Sequence, residues 1–385
     1  MTVQVIRGEN GRVGFAELFF DLVFVFAITQ VSHTLLYHYD LRGALQAGLI
    51  LFAVWWVWIY STWAMNRLDP DHAAVRGLLF AMMAAGLFLS MAIPDAFKDR
   101  GWVFGLAIAA LQVGRTLFLW AMLGQGHALR PTYNRILIWL SGAGLLWIAG
   151  GFAPPELRLP LWLCAIMVEV LGPALADPLP GRGHDATTNW AINGGHMAER
   201  CGLFVIICLG ETLLVTGATF AEMDWTGTGL LAFFASLGTT LGMWWVYFHI
   251  GHVRGTHQIE QADDPGRIAR LAFTYLHIPI VAGIVLSAGG SERAFAHPQD
   301  AAVLAEAASV VGGLALFLLG NGLFKWSTGR WFPLSHLIGL GLCAVLLVAG
   351  PYISLLTANL AAAVILTLVA VQEHRSLRGE GVPGQ

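Results

Sequence analysis

A run of about twenty apolar residues recurs some twelve times along this chain, with little more than short connections between the runs. Each is long enough to cross the ~30 Å hydrocarbon core of a bilayer as a helix. Lipid offers the backbone no hydrogen-bond partners, so a spanning segment must satisfy its own N–H and C=O groups. The runs lie at 15–38, 42–65, 73–93, 101–124, 133–153, 157–178, 197–220, 227–250, 268–289, 301–325, 331–350 and 352–372. Gly350-Pro351 marks a tight turn between the last two. The fold expected is all-α: a polytopic transmembrane helical bundle of about twelve spans.

Composition agrees. Charged residues make up 12% of the 385 and hydrophobic residues 57%, at a mean hydropathy of +0.67. A soluble domain carries roughly 25% charged residues, so the partner this surface calls for is the lipid bilayer. Net charge is −3 and there is no basic tract, which excludes nucleic acid as an expected partner. Cys164, Cys201, Cys208 and Cys343 all fall in apolar runs, form no CxxC pair, and read as small packing residues. No short apolar segment precedes a small-residue cleavage site, so the first span is expected to target the chain itself.

The cations are distributed unevenly. On the side shared by both termini the parse places fifteen Lys and Arg residues, from Arg7 and Arg12 to Arg375 and Arg378. The other side has five, Arg42, Lys98, Arg100, Arg158 and Arg293, with Arg115 alone in mid-span. The positive-inside rule then predicts both termini to be cytoplasmic. The longest connection, 179–196, is rich in Gly, Pro and His and too short to fold alone.

The halves echo one another. Glu17 opens an apolar run reaching Thr29-Gln30, and Glu199 opens one reaching Glu211-Thr212, an offset of 182. Trp55 to Tyr60 in the second span is answered by Trp244 to His249 in the eighth, and Asp69-Pro70 by Asp264-Pro265. These matches predict a six-plus-six duplication, residues 1–195 and 196–385, each a six-helix membrane repeat. Six being even, the repeats are parallel, as in transporters with substrate sites at a repeat interface.

Ionisable groups within spans cost ~2.5–3.5 kcal/mol at the bilayer centre, so each needs a partner or a purpose. On the first span Glu17 and Asp21 share a face at i, i+4, and Thr29 and His33 continue it. They read as a pathway lining or ion site, or as an interfacial cap paired to arginine. His196, Glu199 and Arg200 at the start of the seventh span read as a proton or anion site, or as a structural Glu–Arg network. Glu211, near the middle of that span, suits a proton or cation carrier or a structural pair. Arg115 and Glu169 lie near mid-depth in the fourth and sixth spans and could pair directly. His277-Ile278-Pro279 predicts a kink, and the tryptophans at 55–63 and 244–247 predict interfacial belts. One His and one Glu are too few ligands for a metal. No HExxH, GxSxG, Walker loop or Rossmann glycine pattern occurs, so no catalytic residue, enzyme activity or cofactor is expected.

Glu17-Leu18-Phe19-Phe20-Asp21-Leu22-Val23-Phe24-Val25-Phe26-Ala27-Ile28-Thr29-Gln30 resembles the opening motif of the bacterial low temperature requirement protein A family. So does the run from Glu199-Arg200-Cys201-Gly202 to Leu209-Gly210-Glu211, and the segment Trp55 to Asp71 also fits. The likeness implies a bacterial inner-membrane protein linked by name to growth in the cold, and it supplies no molecular activity. Phe19 to Thr29 is also similar to the FSD-motif helix of lysosomal-type potassium channels, which are built from six-helix repeats and line their pores with these helices. Here Phe20 replaces the motif's serine, and Leu203 stands where a duplicated Asp21 would be. Three functions follow as expectations. One is a transporter of a small solute or ion, proton-coupled or not, with Glu211, Asp21 and Arg115 near its path. The others are a cation channel assembled as a homo-oligomer or pseudo-oligomer, and a non-transporting membrane sensor or scaffold.

Overall fold

In the computed structural model, helix follows helix from Phe15 onward. It describes residues 7, 12–37, 40–179, 192–249, 265–301, 304–329 and 331–378. Most of the 179–196 connection, together with Arg182, Arg254, Asp264 and Arg330, lies outside the described residues. The helices are α1 (Phe15–Tyr37), α2 (Leu41–Met65), α3 (Ala73–Ala92), α4 (Gly101–Met122), α5 (Arg130–Phe152), α6 (Pro155–Ala174), α7 (Gly194–Glu222) and α8 (Gly227–Phe248). The ninth span, α9, is composite: Pro265–Ala269, a π-helical turn Arg270–Tyr275, then His277–Ala296. α10 is likewise Leu304–Ala307, a π turn Ala308–Gly312, and Gly313–Gly329. α11 (Leu334–Ala349) and α12 (Leu355–Arg378) flank a 3-10 turn at Gly350–Tyr352, where the Gly-Pro pair predicted a break. Among the described residues, twelve helices are thus long and apolar enough to span a membrane. Among the described residues no strand forms, and the one β-bridge joins Ala301 to Ser354.

The chain divides into two units. The first comprises Met1–Thr34, Leu45–Arg200 and Asp263–Arg267. Within it α3 packs on α4, α4 on α5 and α5 on α6. Its tightest seam is between α4 and α5. A Cβ at Gly105 would strike the Trp147 carbonyl, and one at Gly151 would lie 2.6 Å from the Gly101 oxygen. Bare backbone at these positions lets the helices approach as small residues do in membrane seams.

Arg158, at the start of α6, closes one end of that seam. Its guanidinium donates to the carbonyls of Ala96 (3.0 Å), Lys98 (2.6 Å), Gly150 (3.2 Å), Gly151 (3.3 Å) and Ala153 (3.2 Å). Gly150, Gly151 and Ala153 lie at the C-terminal end of α5, where the Gly150 carbonyl also accepts the Ala153 N–H at 3.3 Å and a cation meets the negative end of the helix dipole.

The second unit comprises Leu35–Ala44, Cys201–Ala262 and Ile268–Gln385. Within it α9 packs on α10, α10 on α11, α11 on α12, and α8 on α12. Gly238 and Gly242 of α8 face Ala363 and Leu366 of α12, which is the helix-packing role their GxxxG spacing suggests. The expected kink near Pro279 takes the form of the π turn before it. Leu276 N–H reaches back five residues to the Leu271 carbonyl, which accommodates a proline that cannot donate.

The tryptophan belts divide. Trp244 and Trp245 are 45% and 40% exposed, as interfacial residues are, but Trp55, Trp56 and Trp58 are fully buried. Those three are core residues, and one has a polar task described below.

Candidate functional site: a buried charge network on three helices

Glu17 occupies the first turn of α1, with Gly14 at the cap. Its Oε2 accepts the Gly14 backbone N–H at 2.8 Å, the reach-back of a capping box. The same oxygen accepts Arg7 Nη2 at 2.5 Å. One turn on, Asp21 receives the Arg200 guanidinium in a two-pronged bond: Nη1 to Oδ2 at 2.6 Å and Nη2 to Oδ1 at 2.8 Å. Trp58 Nε1 of α2 donates to Oδ1 at 2.8 Å, and the Arg200 guanidinium lies over the Trp58 ring, 5.4 Å from its centroid. Arg200 Nη1 also donates to the Glu17 carbonyl at 3.1 Å. Glu17, Asp21, His196 and Arg200 are all at most 2% exposed.

The hydrogen bonds fix the protonation pattern of His196. Asn66 Oδ1 accepts the Asn193 backbone N–H at 3.2 Å, and its Nδ2 donates to the Asn193 carbonyl at 2.9 Å. This peptide-like pairing sets which end of the Asn66 amide is nitrogen. The second Nδ2 proton points at His196 Nδ1, 3.1 Å away, so Nδ1 is the acceptor. The ring proton therefore sits on Nε2, which donates to Glu17 Oε1 at 2.9 Å. Asn193 Oδ1 in turn accepts the His196 N–H at 2.9 Å, capping α7. Two carboxylates, two arginines and a neutral imidazole sum to zero charge, as a low-dielectric site requires.

The remaining expected residues are scattered. Glu199 is exposed and accepts the Val13 N–H at 3.4 Å. Thr29 turns its hydroxyl onto the Val25 carbonyl at 3.1 Å, and His33 is exposed, so the acidic stripe does not continue inward past Asp21. Arg115 and Glu169, both buried, form no direct ion pair. Arg115 Nη2 donates to Gln112 Oε1 at 2.7 Å and Nη1 to Ser61 Oγ at 3.3 Å, while Glu169 accepts Trp147 Nε1 at 3.2 Å. Glu211, in the second unit, is buried on α7 one turn from Cys208.

Sequence reasoning missed Arg7, Trp58, Asn66 and Asn193. Asn193 carried a signal, since an asparagine three residues before His196 at a helix start is a cap pattern. The second unit also holds a buried Lys325–Glu373 ion pair and a His336 Nε2–Asn321 Oδ1 contact of 2.9 Å. Among the described residues no three His, Cys, Asp or Glu side chains converge on a metal-sized site.

Twelve apolar helices with charges buried among them define an integral, multi-pass membrane protein. The bacterial low temperature requirement A protein (LtrA) family matches residues 12–371, and the chain belongs to that family. It is 40% identical over 378 residues, 97% of this chain and 92% of the relative, to the uncharacterized protein RA0937 of Rhizobium meliloti (strain 1021). No solved structure matches the chain.

Proposed function

We propose that this protein is a proton-coupled carrier of a small solute in the bacterial inner membrane, with both termini cytoplasmic and no enzymatic activity. The observation that carries this reading is the Asn193–Asn66–His196–Glu17 chain, which abuts the Asp21–Arg200 pair. His196 Nδ1 is its one free ring-nitrogen lone pair, and that atom is held by the Asn66 amide. A proton arriving at Nδ1 turns an acceptor into a donor facing a donor, so Asn66 must turn away. Asn66 then releases Asn193, the residue that caps α7. Protonation is thereby tied to the start of a spanning helix, the kind of two-state element that coupling requires.

A six-plus-six duplication, read from the sequence matches, is an architecture that carriers use. Consecutive packing of α3 to α6 in one unit and of α9 to α12 in the other is consistent with it. A cation channel is less well supported: Asp21 is buried and its charge is already paired with Arg200, with a further bond from Trp58. The capping of α1 by Glu17 favours a second reading, a scaffold in which these charges only join helices.

Proteoliposomes carrying imposed proton, potassium and sodium gradients test the choice. Saturable dissipation of the pH gradient, abolished in folded Glu17→Gln and His196→Gln protein, is the expected result. Steep ohmic currents would favour the channel. Silence of the wild type under all three gradients, with variants altered only in stability, would leave the scaffold.

A further inference from the structure

In the first unit, next to the charge network but lined by none of its side chains, a cavity of about 210 Å³ is lined by Arg67, Leu68, Leu119, Met122, Leu123, His127, Leu129 and Tyr133. It exceeds the ~150 Å³ of an apolar cavity that holds benzene. Its position is interfacial. Arg67 lies two residues past the end of α2, Met122 ends α4, His127 lies in the connection, and Tyr133 is in the first turn of α5. Met122 is 37% exposed, so the cavity reaches the molecular surface at the rim of the membrane zone.

Its body is leucine and methionine, and three donors gather at its edge. His127 Nδ1 accepts the Leu129 N–H at 3.2 Å, which places the ring proton on Nε2 as a donor. Among the described residues that Nε2, the Arg67 guanidinium and the Tyr133 hydroxyl make no hydrogen bond or ion pair. Among the described residues no acidic side chain lines the cavity. The nearby Arg130 is already engaged. It donates to the Leu123 carbonyl at 2.8 Å and stacks on Trp120 at 4.4 Å. An uncompensated half-buried guanidinium beside an apolar hollow is complementary to an anion attached to a hydrocarbon chain.

We infer that this cavity is a binding site for an anionic phospholipid of the surrounding bilayer, one acyl chain entering among Leu68, Leu119, Leu123 and Leu129. Its phosphate takes hydrogen bonds from Arg67 and His127. The source is the membrane because the mouth lies at headgroup depth, where basic pockets between helices meet lipid phosphates.

The test uses the full chain purified in detergent, titrated with phosphatidylglycerol or phosphatidylcholine and read by native mass spectrometry and melting temperature. Phosphatidylglycerol is expected to bind about tenfold more tightly than phosphatidylcholine, the lower end of what a charge-assisted hydrogen bond contributes. The preference should disappear in Arg67→Gln and shrink in His127→Ala, a loop substitution that spares the helices. It should persist in Arg76→Gln, a surface arginine paired with Asp71. Equal binding of the two lipids, or a preference that survives both cavity variants, would overturn the inference. So would decanoate occupying the site while phosphatidylglycerol does not, since the ligand would then be a soluble carboxylate.

Discussion

Replacing Asp21 and Arg200 separately and together should give three stabilities that do not add. Asp21 accepts three hydrogen bonds, of 2.6, 2.8 and 2.8 Å. In Asp21→Leu the Arg200 cation keeps only the Glu17 carbonyl and the Trp58 ring, and the Trp58 N–H is stranded. In Arg200→Met the Asp21 carboxylate keeps only Trp58. Each single variant leaves a buried charge uncompensated and should lose about 3–5 kcal/mol. The double variant removes both charges and strands only the indole N–H, a loss of about 1–3 kcal/mol. The coupling energy should therefore be several kcal/mol, well above the ~0.3–0.5 kcal/mol scatter of independent sites. Tryptophan fluorescence during unfolding of purified protein by sodium dodecyl sulfate would supply all four values. Losses in the double variant equal to the sum of the singles would refute the pair as an energetic unit. Its function is equally informative: a stable double variant that still carries protons would place these charges outside the coupling path.

Other outcomes follow from the packing. Gly105→Leu drives a side chain into the Trp147 carbonyl and should destabilise by several kcal/mol, whereas Gly142→Leu, with no atom within 4 Å of its Cβ position, should be close to neutral in the same unfolding assay. Arg158→Met strands up to four carbonyls and should lower the melting temperature of the purified protein more than Arg76→Met, which loses only exposed bonds to Asp71. N-ethylmaleimide should modify Cys164 alone in folded, detergent-solubilised protein and all four cysteines after unfolding, as counted by intact mass.

The spans were legible because lipid imposes one rule on every residue of a crossing segment, and hydropathy reports it directly. Glu17 with Asp21, and His196 with Arg200, stood out for the same reason: a charge in an apolar run is conspicuous. Their pairing was not legible. Asp21 and Arg200 are 179 residues apart, and nothing local to either names the other. Trp58 was concealed differently. Sequence context made it one of a cluster of interfacial aromatics, and only burial shows its N–H turned onto a carboxylate. Arg115 and Glu169 show the opposite error of economy. Opposite charges at similar depth suggest a direct pair, yet the hydrogen bonds of Arg115 go to Gln112 and Ser61, and Glu169 accepts one from Trp147.

The π turn at Arg270–Tyr275 also sets a limit on how this chain can change in length. A π turn holds one more residue than the α turn it replaces. Losing a residue there would let α9 close into a regular helix, turning everything before the deletion by about 100° and drawing it in by ~1.5 Å. The wide turn also presents the Ala272 carbonyl to His277 Nδ1 at 2.8 Å, which leaves Nε2 to accept the Tyr247 hydroxyl at 2.8 Å. A one-residue deletion would take away that carbonyl and with it the tautomer that recognises Tyr247. Natural chains of this kind that dispense with the extra residue should therefore have exchanged the His277–Tyr247 pair for apolar side chains.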